Sequence, residues 1–162
     1  MGVVGSNWDN GQSITVQADG KILLGGYNSG NGWDFALVRY NTDGSLDTSF
    51  DTDGKVTTDL DSSEDFGHSV TMQADGKILV SGSSYNSSDY DYDFALVRYN
   101  ADGSLDISFD SDGKVTTGFG ISADYSASFD EANSITVQTD GKILLGGESE
   151  SSFALVRYNS DG

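Results

Sequence analysis

Three stretches of this 162-residue chain are near copies of one another, and that self-similarity constrains the fold more than any other feature. SITVQADGKILLGG at 13–26 returns as SVTMQADGKILVSG at 69–82 and as SITVQTDGKILLGG at 134–147. FALVRYNTDGSLD at 35–47 returns as FALVRYNADGSLD at 94–106 and as FALVRYNSDG at 153–162. SFDTDGKVTT at 49–58 returns as SFDSDGKVTT at 108–117. The FALVRY motif recurs at steps of 59 and 59 residues, the DGKIL motif at steps of 56 and 65. The motifs are fixed, and the segments that join them vary in length.

Each unit reads as strands. Ser13 to Gln17 alternates polar and apolar residues, the period-2 signature of a strand. Asp19-Gly20 follows, then the apolar Ile22, Leu23 and Leu24; two such runs joined by Asp-Gly predict a hairpin with a type I′ turn, positive in φ at both central residues. Asp75-Gly76 and Asp140-Gly141 repeat it. Phe35 to Tyr40 makes a third strand, apolar on both faces except for Arg39, and 45–58 a fourth extended segment interrupted by Asp53-Gly54. No window carries a 3.6-residue period, so no long helix is expected. Four antiparallel strands in about 59 residues is the arithmetic of a β-propeller blade; a β-solenoid coil is shorter and needs no Asp-Gly hairpin in every unit. The expected fold is all-β: a β-propeller built from four-stranded antiparallel blades, three blades per chain. Blade 1 spans about 13–58, blade 2 about 69–117 and blade 3 about 134–162.

The pattern SITVQ-x-DGKILLGG … FALVRYN-x-DGSLD-x-SFD-x-DGKV resembles the delta-60 repeat of bacterial β-propellers and is similar to NHL-type blades. The turn reads Ala-Asp-Gly or Thr-Asp-Gly where that family often has Pro-Asp-Gly. The resemblance implies a repeat module of large secreted or surface-attached proteins, with 13–17 and its equivalents nearest the axis and 45–58 at the rim. Blade 3 has no rim strand of its own, and residues 2–5 around Val3-Val4 are the candidate replacement, drawn from the same chain or a partner. A ring needs four to eight blades, so three leave two apolar blade faces open. Two chains would complete a six-bladed ring; a head-to-tail filament or a piece of a longer propeller are the alternatives.

Composition narrows the function classes. Lys plus Arg is 8 against 26 Asp plus Glu, a formal charge of −18, which argues against nucleic acid or an anionic membrane as partner. With no Cys there is no disulfide or thiolate chemistry, and with one His there is no multi-histidine metal site in a single chain. No apolar run approaches the roughly 18 residues of a membrane span, and residues 1–10 do not read as a signal peptide. An extracellular or cell-surface setting follows from the resemblance and suits the acidity.

All eight basic residues lie in the repeated framework. Arg39, Arg98 and Arg157 share one position in an apolar strand, where burial demands a partner; Asp47 and Asp106 are placed to supply it, one ion pair per blade. Ser49-x-Asp51-x-Asp53-Gly54 and Ser108-x-Asp110-x-Asp112-Gly113 have the oxygen spacing that starts an EF-type loop, without the bidentate Glu at its end, and so read either as Ca2+ ligands or as Asp-stabilised turns. Asp89, Asp91 and Asp93 put three carboxylates on one side of an extended chain, a second candidate for Ca2+. The variable segments are acidic and aromatic: Trp33, Tyr90, Tyr92 and Tyr125 suit stacking on sugar faces or a protein interface, and His68 stands beside the axial mouth. No catalytic residue is assigned. The expected function is a non-enzymatic scaffold or binding module that self-assembles through its open faces, taking a glycan or protein ligand. The alternatives are a calcium-supported carbohydrate-binding propeller and a six-bladed hydrolase or lactonase-like enzyme, the latter needing convergent polar groups around a base.

Overall fold

A computed structural model describes residues 8–30, 32–60, 64–88, 90–120 and 129–162. Those residues form β-strands and turns, without a helix. The first sheet holds β1 (Asp9–Val16), β2 (Ile22–Asn28), β3 (Asp34–Tyr40) and β4 (Lys55–Thr58) in sequential order. The second repeats it with β5 (Asp65–Met72), β6 (Ile78–Asn86), β7 (Asp91–Tyr99) and β8 (Lys114–Thr117). The third has β9 (Glu131–Val137), β10 (Ile143–Ser149) and β11 (Ser152–Tyr158), so β11 is an edge among the described residues. Neighbours are antiparallel throughout. Two four-stranded blades and one three-stranded blade follow from the repeat. The rim strand proposed at 2–5 lies outside the described residues.

The hairpin turn differs from the expected type. Gly20 is positive in φ at 85° while Asp19 is not, and the Gly20 amide donates to the Gln17 carbonyl. The Asp19 carboxylate instead accepts the Lys21 amide at 3.1 Å, which holds Asp19 in an ordinary turn and leaves only the glycine left-handed. This is a three-residue loop with a glycine bulge, and Asp75 and Asp140 make the same bond to Lys77 and Lys142.

Each inner strand carries a bulge, between Gly11 and Ser13 in β1 and between Gly67 and Ser69 in β5. The bulge pushes a carbonyl against the next strand. A Cβ at Gly26, Gly82 or Gly147 would meet the carbonyl oxygen of Asn10, Phe66 or Glu131 at 1.9, 1.8 and 1.7 Å, so only glycine fits.

The blades stack face to face. Leu23, Phe35 and Leu37 of blade 1 pack with Val70, Ile78 and Val80 of blade 2 in one core. Leu79, Phe94 and Leu96 on the other face of blade 2 pack with Ile135, Ile143 and Leu145 of blade 3 in a second. Adjacent residues of one strand, such as Ile78 and Leu79, therefore serve different cores, which is why these strands are apolar on both faces.

Candidate functional site

Arg39 and Arg98 are structural struts. Arg39 Nε donates to Asp47 Oδ2 at 2.7 Å, Lys21 Nζ reaches the same oxygen at 2.9 Å, and the guanidinium lies 4.4 Å over the Phe50 ring. Arg98 repeats the set on Asp106, Lys77 and Phe109. The Ser49 hydroxyl and the cations hold the Asp47 carboxyl well below the usual carboxylate range. Both expected partners are in place. Arg157, at the same strand position in the third sheet, is exposed.

The two EF-like segments form turns. Asp53 accepts the Lys55 amide at 3.1 Å and Asp112 the Lys114 amide at 2.9 Å, so each spends a carboxylate oxygen on its own backbone. Asp51 and Asp110 sit in the left-handed region, and their amides donate across the blade junctions to the carbonyls of Asp102 and Asp161. Burial, with help from Asp53 and Asp102, raises the Asp51 carboxyl above its ordinary value. Among the described residues these four aspartates join no carboxylate cluster of metal-binding dimensions.

The aromatic candidates gather at one end of the blades, where the variable connections meet. Trp33 contacts Tyr27 and Phe66, Phe66 contacts Tyr92, and Tyr92 stacks on Phe129 at 5.2 Å. Tyr85 packs on Tyr92 at 5.3 Å, and the His68 ring lies 6.4 Å from Tyr27. The row thus crosses all three blades. Short parallel bridges fasten it, Trp33 to Glu64 and Tyr92 to Phe129, each joining one blade to the segment that enters the next. The Tyr92 hydroxyl donates to Glu64, and burial together with that carboxylate raises its phenol. Tyr90 is exposed apart from the row, and Tyr125 lies outside the described residues. His68 Nε2 lies 3.3 Å from Glu131 Oε1 but makes no aligned hydrogen bond among the described residues, and burial, opposed by Glu131, lowers its pKa. An imidazole between a carboxylate and an aromatic edge can bind or pack.

Two carboxylate triads lie at the blade junctions. Asp34, Asp59 and Asp65 bring oxygens within 4.8 Å of one another, as do Asp91, Asp93 and Asp130. Asp91 and Asp93 were legible as a pair; Asp89 lies outside the described residues. Asp130 comes from the entry to β9 and was not singled out, nor were Phe66 and Phe129. A signal for the aspartate was present: Asp9, Asp65 and Asp130 each stand four residues before Ser13, Ser69 and Ser134.

The outermost faces are unlike the inner ones. Phe35 and Phe94 are fully buried, whereas their equivalent Phe153 is fully exposed. Leu37 and Leu96 are likewise buried, but Leu155 is 67% exposed. On the opposite face Ile14 is 66% exposed where Val70 and Ile135 are 5% and 8%.

A family model described as a domain of unknown function (DUF5122) beta-propeller matches residues 17–50, 73–109 and 138–162. No curated protein matches the chain.

Proposed function

The chain belongs to this DUF5122 beta-propeller family, and on that premise we propose that it is a non-enzymatic scaffold and binding module that assembles through its two open blade faces. The single observation that carries the reading is the exposure of Phe153 and Leu155 at positions buried in both preceding blades. Exposed apolar faces of this kind favour association. A second copy has the complement: its Ile14 face is equivalent to the faces around Val70 and Ile135 that cover Phe35 and Phe94. Arg157 fits the same pairing. Arg39 and Arg98 donate across their junctions to the Ala101 and Ser160 carbonyls, and Thr42 holds that turn position in blade 1. Two copies joined in this way make six blades, in keeping with the delta-60 and NHL-like pattern and with a secreted or surface role. The aromatic row supplies the ligand-binding part of the reading, for a glycan or protein partner.

Light scattering on a sizing column tests the assembly. The expected mass is about twice the 17.1 kDa of the chain, falling to one chain for Phe153→Asp. A folded monomer for the unaltered chain overturns the reading.

A further inference from the structure

We propose that Asp91, Asp93 and Asp130 form a Ca2+ site that ties blade 2 to blade 3. Asp91 and Asp93 project from the start of β7, and Asp130 stands at the entry to β9 in the next blade. All three are buried, and one carboxylate oxygen from each lies within 4.8 Å of the others. Ca2+ takes about six to eight oxygens in a flexible geometry, which suits carboxylates gathered from two blades, whereas Mg2+ demands a tighter, octahedral set.

An independent observation points to a ligand. Asp130 is fully buried; its Oδ2 accepts the Phe119 amide at 2.9 Å, while its Oδ1 accepts no hydrogen bond among the described residues. A buried carboxylate oxygen without a donor is costly, and a coordinated cation would offset that cost. Room for the second ligand is built into the backbone: a Cβ at Gly118 would stand 2.3 Å from Asp93 Oδ1. Asn86 Nδ2 donates to Asp93 Oδ2 at 3.1 Å and orients it.

The preceding junction offers a natural comparison. Asp34 and Asp65 occupy the places of Asp93 and Asp130, but the third carboxylate there is Asp59, which stands where the later junction has Gly118. Asp91 in turn replaces Gly32. The number of carboxylates is kept while the third donor changes strand. Burial, Asp59 and Asp65 together raise the Asp34 carboxyl above its ordinary value.

Calorimetric titration of the full chain with CaCl2, with melting in EDTA, Ca2+ and Mg2+, tests the site. The expected result is saturable Ca2+ binding with a rise in Tm of roughly 5–10 °C at a hundredfold excess over Kd. Asp91→Asn and Asp130→Asn should each weaken that binding at least tenfold. Asp91→Asn keeps a side-chain oxygen to accept the Tyr92 amide, and its circular dichroism and melting in EDTA are compared with those of the unaltered chain, so a folding defect does not confuse the result. Asp110→Asn, in the EF-like turn, should bind as the unaltered chain does. No binding at millimolar Ca2+, an equal response to Mg2+, or loss of binding in Asp110→Asn but not in Asp91→Asn overturns the proposal.

Discussion

Arg39 crosses the first blade junction to donate from Nη1 to the carbonyl oxygen of Ala101 at 2.7 Å. The same side chain is fixed by Asp47 and lies over Phe50, so one guanidinium joins strand, rim turn and neighbouring blade. Arg98 does this at the second junction with Asp106, Phe109 and Ser160.

Removing either buried arginine takes one cation from a buried carboxylate and leaves Lys21 or Lys77 to hold it alone. Arg39→Met or Arg98→Met is expected to lower stability by about 1.5–3 kcal/mol, the worth of a hydrogen bond to a charged group. Arg157→Met, at an exposed position, should stay within about 0.5 kcal/mol for the single chain. Urea denaturation of the three variants reads the difference, and equal losses at Arg98 and Arg157 would contradict the strut role.

Acid should attack the same network. The hydrogen bond from Ser49, with Lys21 and Arg39, depresses the Asp47 carboxyl; for Asp106 burial works the other way and is outweighed by Lys77 and Ser108. A carboxyl depressed in the folded state stabilises above its unfolded pKa of about 3.9, and that contribution is lost as pH falls toward the folded value. Stability should therefore drop between about pH 4 and pH 2, and the Asp47→Asn, Asp106→Asn double variant should show a shallower drop over that range. Denaturation curves at stepped pH decide it.

Base should act through Tyr99. Burial raises its phenol above the ordinary value, Thr58 opposing with a 2.7 Å hydrogen bond and Asp51 assisting. A raised phenol means stability is fully present below the unfolded pKa of about 10 and is lost as pH climbs through the folded value. Tyr99→Phe should make that alkaline slope shallower, with Tyr92 and Tyr158 keeping the remainder, and cost about 1–2 kcal/mol at neutral pH, because Thr58 loses its partner.

The bulge glycines give the sharpest steric contrast. Gly82→Ala drives a Cβ to 1.8 Å from the Phe66 carbonyl oxygen, whereas a Cβ at Gly146 meets nothing within 4 Å. The first is expected to cost more than about 3 kcal/mol, the second to be neutral or slightly stabilising. Thermal melts of the two variants check this. Because Gly25, the equivalent of Gly146 in blade 1, brings such a Cβ to 3.0 Å from Val70, Gly146→Ala should nonetheless weaken any assembly through that face.

The blade plan was legible because Ile22-Leu23-Leu24 and Phe35 to Tyr40 recur almost unchanged and alternate between two cores. The Arg39–Asp47 pair was legible because a buried guanidinium demands a carboxylate, and one recurs eight residues on. The turn type was not: Asp-Gly satisfies two hairpin geometries, and the Asp19 bond to Lys21 selects between them. Nor was Asp130, which meets Asp93 only because stacking closes a 37-residue gap. Phe66 and Phe129 joined the aromatic row for the same reason, since each leans on a ring from the preceding blade. Contacts within a blade follow the chain; contacts between blades follow the stack.

The aromatic row sits at one end of a head-to-tail stack, and that polarity has a consequence for valency. Every junction joins unlike faces, so a two-copy ring has its twofold axis along the central channel, and both copies turn the same end outward. The Trp33 to Phe129 row would then appear twice on one side of the ring and not at all on the other. A ligand with a single epitope gains nothing from this arrangement. A polymer of repeating epitopes long enough to span the channel would engage both rows, and its avidity would exceed that of one row without any new contact.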